Sequence, residues 1–166
     1  MIHTAFANKC LQLAVAKVTE ITGTGFCYLG LSATEADSEG KRVINATGSN
    51  FNEPDSTNYP SYERIQLSVT KALDYTDKWG SVANGVVSNA EEFTSRECLE
   101  EGGWPEFYHF GIFDCKSGGT PLATGVLRDP DGTPDATTGL LPEKSLLVEQ
   151  NKVAVFRAGM LQLTFE

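Results

Sequence analysis

The feature that most constrains the fold is a pair of apolar runs separated by a glycine-containing turn. The first run, Tyr108 to Phe113, is aromatic and apolar, and the second extends from Pro121 to Leu127. Between them, Ser117, Gly118 and Gly119 are residues that favour a tight turn. Apolar runs of this length, bounded by turn residues, are typical of buried strands. We therefore predict a β-hairpin across this region, with both strands half or wholly buried.

Further strands are predicted along the rest of the chain. Apolar and polar residues alternate at 64–70 and 160–165, as in a strand with one solvent-facing side. Runs rich in apolar residues occupy 25–32 and 145–156. Residues 75–79 and 82–93 predict one or two more strands, and Asn84-Gly85 is the strongest short hairpin signal.

The N-terminal segment and one long connection complete the predicted organisation. Residues 4–18 carry apolar side chains at helical spacing, with Thr4 placed to cap the start, and predict a helix. Residues 33–60 form a loop rich in Gly, Asn, Ser, Asp and Pro, and loops of this length are usually functional or mobile. We predict a single domain over residues 1–166 that is mainly β, an antiparallel β-sandwich with one N-terminal helix.

Composition and charge argue against several classes of function. The formal net charge of -9 is unsuited to binding nucleic acid, whose phosphates attract Lys and Arg. Acidic residues gather at 35–39, 91–92, 97–101 and 129–135, which we interpret as solvated loops. No apolar run reaches membrane-spanning length, and the first residues lack the features of a secretory signal. We expect a protein made in a cytoplasm, with neither nucleic acid nor a membrane as partner.

The four cysteines do not predict a metal or redox centre. Cys10, Cys27, Cys98 and Cys115 are too widely spaced for a zinc knuckle or a redox motif, and we expect reduced thiols. Cys98 is predicted to be the accessible one, whereas the other three lie within apolar segments. Since neighbouring carboxylates disfavour a thiolate, we do not expect Cys98 to be a nucleophile.

Candidate catalytic and metal-binding residues are few. The only histidines are His3 and His109, and a lone histidine in an aromatic strand is usually a hydrogen-bonded structural residue. We therefore predict no catalytic residue, no cofactor and no enzymatic activity. Asp129, Asp131 and Asp135 surround a glycine turn that is similar to part of a calcium loop but lacks its spaced terminal glutamate. A plain loop is the favoured interpretation there, with a calcium site as the alternative.

Five aromatic residues in or beside the long connection are candidates for an interface. Aromatic side chains on loops bury much area with few rotatable bonds, which suits contact with another subunit or another copy of the chain. Alternatively, they fold back onto the body of the protein, as side chains of compact loops often do. Both interpretations apply to Phe51, Tyr59, Tyr62, Tyr75 and Trp79.

Several motifs follow one another along nearly the whole chain. Ala7-Asn8-Lys9-Cys10-Leu11 lies in the predicted helix, Tyr28 to Ser32 reads Tyr-Leu-Gly-Leu-Ser, and Tyr62-Glu63-Arg64-Ile65 comes next. Segments 118–127 and 156–163 close the series. The most specific motif lies before these two segments, and it comprises Trp104, His109, Gly111, Ile112, Phe113 and Asp114.

This order of motifs resembles a family of small bacteriophage virion proteins, which are labelled as tail-fibre or minor structural proteins. The chain departs from the family pattern at Pro105, where members usually have Gly, in a longer insertion at 91–103 and in a longer loop at 129–141. The resemblance implies a non-enzymatic structural protein of the virion. Its partners would be the major capsid protein or tail subunits and further copies of itself. A capsid decoration or head-fibre component is the first alternative, and a tail or baseplate component involved in host attachment is the second.

Overall fold

Eight β-strands form the secondary structure of the described residues, and all of their pairings are antiparallel. The computed structural model describes residues 28–45, 47–67, 86–113, 115–129, 131–137 and 139–164. The predicted helix at 4–18 and the Asn84-Gly85 hairpin lie outside these residues. The strands are β1 Tyr28–Ser32, β2 Ile65–Gln66, β3 Val86–Ser88, β4 Phe93–Glu97, β5 His109–Phe113, β6 Ala123–Val126, β7 Val153–Phe156 and β8 Gln162–Thr164. The prediction of a mainly β chain is confirmed.

The largest sheet has four strands in the order β2-β1-β5-β6. Its central strand β5 is buried at all five positions, as its aromatic and apolar sequence predicts. Strand β5 pairs with β1 from Tyr28 opposite Phe113 to Ser32 opposite His109. It also pairs with β6, so the predicted hairpin is confirmed.

Two further strand pairs, β3–β8 and β4–β7, accompany this sheet. Strand β4 corrects the interpretation of residues 91–103 as a loop insertion, because Phe93–Glu97 pairs with β7. The burial of Phe93 opposite Phe156 explains why this acidic segment is ordered as a strand. An isolated bridge between Leu127 and Leu161 connects the end of the hairpin to the start of β8.

One hydrophobic cluster joins the four-stranded sheet to the β4–β7 pair. Removal of its large apolar side chains from water is the main favourable term for folding. Its members include Leu29, Leu31, Phe93, Trp104, Phe107, Phe110, Ile112, Leu127, Val148, Ala154, Phe156 and Leu161.

Hydrogen bonds hold the described part of the long connection beside the end of strand β1. Ala33 N donates to the Asn52 carbonyl at 2.9 Å, and Asn52 N donates to Ser32 Oγ at 2.9 Å. Thr34 Oγ1 donates to the Asn50 carbonyl at 2.9 Å. These bonds place residues 51–53 beside the four-stranded sheet.

Candidate functional site

The residues of the most specific motif lie in the core of the protein. Trp104, His109 and Phe113 are only 2%, 4% and 1% exposed, and Gly111 is also buried. A Cβ at Gly111 would lie 2.9 Å from ring atoms of both Phe113 and Phe51, so glycine permits these two rings to pack edge to face over the strand. Asp114 lies outside the described residues. The described motif residues therefore serve to pack the sheet.

A buried ion pair fixes the long connection to this sheet. Arg64 donates from Nη2 to Glu53 Oε2 at 2.6 Å and from Nε to both carboxylate oxygens. The Arg64 guanidinium also lies 3.3 Å from the centre of the Phe113 ring, a cation–π contact, and donates to the Cys115 carbonyl. Glu53 in turn accepts a hydrogen bond from the Tyr62 hydroxyl at 2.9 Å. Burial and the nearby Glu53 charge raise the pKa of Tyr62 well above its usual value.

A second polar cluster surrounds Glu100, a residue that sequence reasoning had placed among the solvated acidic loops. Its carboxylate accepts hydrogen bonds from the Ser61 main-chain N–H and hydroxyl and from Trp104 Nε1 at 2.9 Å. Burial by itself would raise the pKa of Glu100, but the hydrogen bonds from Ser61 outweigh it and lower the pKa to about 2. The Glu100 cluster therefore connects residue 61, which directly follows the long connection, to the tryptophan of the motif.

Cys98 belongs to the same cluster, and the prediction that it is accessible was wrong. Its side chain is 0% exposed, and its Sγ donates to Glu100 Oε2 at 3.4 Å. Burial raises the pKa of the Cys98 thiol, which disfavours its thiolate. Cys98 and Cys115 are both free thiols, and Cys115 is only partly buried.

Three of the five candidate interface aromatics lie in the described residues, and all three pack on the body of the protein. Phe51 contacts Phe113 with ring centres 5.3 Å apart, and Tyr62 contacts Trp104 at 5.4 Å. Tyr59 packs against the hydrophobic cluster. These contacts agree with the alternative that the aromatic residues fold back, whereas an interface role stays a prediction. Tyr75 and Trp79 lie outside the described residues.

The three aspartates of the calcium alternative are engaged in local contacts. Asp129 Oδ1 accepts a hydrogen bond from Lys144 Nζ at 3.0 Å, and Asp135 Oδ1 accepts one from Thr137 N at 3.0 Å. Asp131 N donates to Asp129 Oδ1 at 3.2 Å, as in an Asx turn. In the part of the chain that the structure describes, no three His, Cys, Asp or Glu side chains are grouped to hold a metal ion. Asp129, Asp131 and Asp135 are therefore not brought together as a calcium site.

Two adjoining cavities lie beside β6, where sequence reasoning identified no site. Their volumes are about 510 and 400 Å³, and they share Leu127, Lys144 and Ser145 in their walls. We call the two cavities together the β6 groove. Five of the chain's 13 Lys and Arg residues line it, against three of its 22 Asp and Glu residues, so Lys and Arg are enriched in the groove of an acidic protein. The five are Lys41, Arg42, Arg128, Lys144 and Arg157. Lys41 and Lys144 are paired with Glu39 and Asp129, which leaves the arginines as its unpaired cations within the described residues.

His109 lies in the wall of this groove but is itself buried, and its Nδ1 has no hydrogen-bond partner within the described residues. Burial lowers the pKa of His109, and the Arg42 carbonyl and the charge of Glu143 oppose that effect only in part. The imidazole is therefore neutral at pH 7. The sequence predicted a hydrogen-bonded structural histidine. In the structure His109 is a buried residue of β5, and its Nδ1 lacks a partner among the residues that the structure describes.

Protonation of this buried imidazole is expected to destabilise the fold. Because the pKa of His109 is lower in the folded chain, the unfolded chain binds more protons just below pH 6.5, and stability falls as the pH decreases from there. Urea unfolding between pH 5 and pH 8 should show this decline, and the His109→Gln variant should show a flatter profile. The matched control is His3→Gln, which removes the other histidine. A wild-type decline that His109→Gln leaves unchanged would contradict the assignment.

Comparison with protein-family models and curated proteins identified no relative of this chain. The chain matches no protein-family model, and no curated protein is similar to it in sequence. The described residues include no helix with the length and apolar character needed to cross a membrane. A functional conclusion therefore depends on the sequence motifs and on the geometry of the described residues.

Proposed function

We propose that this chain is a structural protein of a bacteriophage virion, attached to the capsid as a decoration or head-fibre component. The observation that supports this proposal is the structural role of the motif residues. Trp104, Gly111 and Phe113, which carry the resemblance to virion proteins, are buried and pack the sheet. Residues with that role suit a rigid body whose task is to bind its neighbours.

We further infer that the body is an antiparallel β-sandwich. The four-stranded sheet and the β4–β7 pair contribute side chains to one cluster, among them Leu29 of β1 and Phe156 of β7. Two sheets that share a core in this way form the two layers of a sandwich. The long connection, held by the Arg64–Glu53 ion pair, adds rigidity at one face.

Immunogold electron microscopy of intact particles tests the proposed location. The particles would come from a phage whose genome encodes this chain, and antibody absorbed beforehand with the purified protein is the control. Gold on the heads is the expected result. Gold confined to tails would replace the capsid role by the host-attachment alternative, and particles without gold would overturn the virion role altogether.

A further inference from the structure

Three guanidinium groups belong to residues that line the β6 groove. Within the described residues, Arg42, Arg128 and Arg157 form no ion pair, although the chain carries 22 acidic residues. Arg42 lies over the Tyr108 ring at 3.9 Å, and Arg128 Nη1 donates to the Leu141 carbonyl. Arginine binds a carboxylate through two parallel hydrogen bonds, so the groove is suited to an acidic partner.

The groove also has apolar walls. Val43, which lines the first cavity, is 60% exposed, and Leu127, Val155 and Met160 line the second. A partner that combined carboxylates with an exposed apolar side chain would therefore match it better than a simple anion would.

The chain itself presents such a segment at residues 97–101, which we call the acidic loop. Leu99 is 63% exposed, and it lies between the exposed residues Glu97 and Glu101. The loop is held in place from within, because Glu100 is bound to Ser61 and Trp104. Leu99 N donates to Ser61 Oγ at 3.1 Å, and Asn151 N donates to the Cys98 carbonyl at 2.7 Å. A loop ordered in advance loses little entropy on binding.

The groove and the acidic loop lie at opposite ends of the β4–β7 pair. Glu92, Phe156 and Arg157 line the groove at the end where Phe93 pairs with Phe156. The loop begins at the other end, where Glu97 pairs with Val153. Four residue steps along β4 separate the two ends by about 13 Å at the rise of a β-strand. The acidic loop is therefore separated from the groove of its own molecule, and its exposed residues can contact the groove of a second molecule.

We propose that the acidic loop of one copy binds in the β6 groove of the next, so that copies of this chain associate head to tail. Glu97 and Glu101 pair with the arginines of the groove, and Leu99 contacts its apolar wall. Such an interface joins two different surfaces and generates a ring or an open chain. This contact rests on the proposed function in one respect, because it supplies the surface through which a virion protein would assemble. The experiments that test it do not depend on the virion role.

Sedimentation analysis of the purified chain tests the contact. In 0.1 M salt, which screens the repulsion between two molecules of net charge -9, we expect the average mass to rise with concentration above 18.0 kDa. In 1 M salt the ion pairs are screened as well, and association should weaken. A chain that stays at 18.0 kDa at every concentration would overturn the contact, even if immunogold labelling placed the protein on the virion.

Charge reversal identifies the two surfaces. Arg157→Glu in the groove and Glu101→Lys in the loop should each weaken association about tenfold, because each puts like charges together. A mixture of the two variants should associate more strongly than either alone, since the reversed groove then meets the reversed loop. Lys116→Glu, which makes the same charge change in the β5–β6 turn, is the matched control and should associate as the wild type does. Equal effects of Arg157→Glu and Lys116→Glu, or a mixture no stronger than its components, would overturn the assignment.

Discussion

The Arg64→Met variant is expected to lose about 3–5 kcal/mol of unfolding free energy, because removal of one partner leaves a buried charge uncompensated. The side chains of Arg64 and Glu53 are only 3% and 19% exposed, and their ion pair measures 2.6 Å. Without the guanidinium, the Glu53 carboxylate keeps only the Tyr62 hydroxyl as a hydrogen-bond donor among the described residues. Urea unfolding at pH 7 measures the loss.

Two further variants separate the ion pair from general effects of losing an arginine. Arg96→Met removes an arginine that pairs with Glu63 but is 70% exposed, and it should cost no more than about 1 kcal/mol. The double variant Glu53→Gln/Arg64→Met removes both charges, so its loss should be smaller than the sum of the two single losses. Additive losses, or an Arg64→Met variant as stable as Arg96→Met, would show that the buried pair is not coupled.

The Trp104→Ala variant should also lose about 3–5 kcal/mol, the usual cost of truncating a large buried aromatic residue. Trp104 is 2% exposed and contacts both Tyr62 and Phe107. Its indole N–H also donates to Glu100 at 2.9 Å. Thermal or urea unfolding of the variant measures the loss, and a cost below about 1 kcal/mol would contradict the packing described here.

Trp104→Phe is the matched variant, because it keeps most of the apolar contact and removes only the N–H donor and the second ring. Its loss at pH 7 should be about 1–2 kcal/mol. In the wild type, the lowered pKa of Glu100 contributes stability that is complete above pH 4.5 and is lost as the pH falls towards 2. Since Trp104→Phe has one hydrogen bond fewer to the carboxylate, its acid-induced loss over that range should be smaller than in the wild type. An identical acid profile would show that the indole does not act on Glu100.

The elements that sequence analysis identified correctly are those whose pattern is local. Aromatic and apolar residues from Tyr108 to Phe113 are removed from water when the segment is an inner strand of the sheet. Because the glycines after it favour a turn, the β5–β6 hairpin could be predicted from this segment alone. Strand β4 was missed because its segment is acidic and only Phe93 points into the core. Its order depends on pairing with β7, which lies about 60 residues further along the chain.

Sequence patterns alone predicted a mainly β chain with buried aromatic strands and an excess of negative charge, because strand periodicity and net charge are properties of neighbouring residues and of composition. The roles of individual polar residues follow from contacts in three dimensions. Glu53 pairs with Arg64, Glu100 accepts hydrogen bonds from Trp104 and Cys98, and arginines from distant segments line the β6 groove. These contacts join residues that are far apart in the sequence. Their energies depend on burial and on distance in space, which no local pattern records.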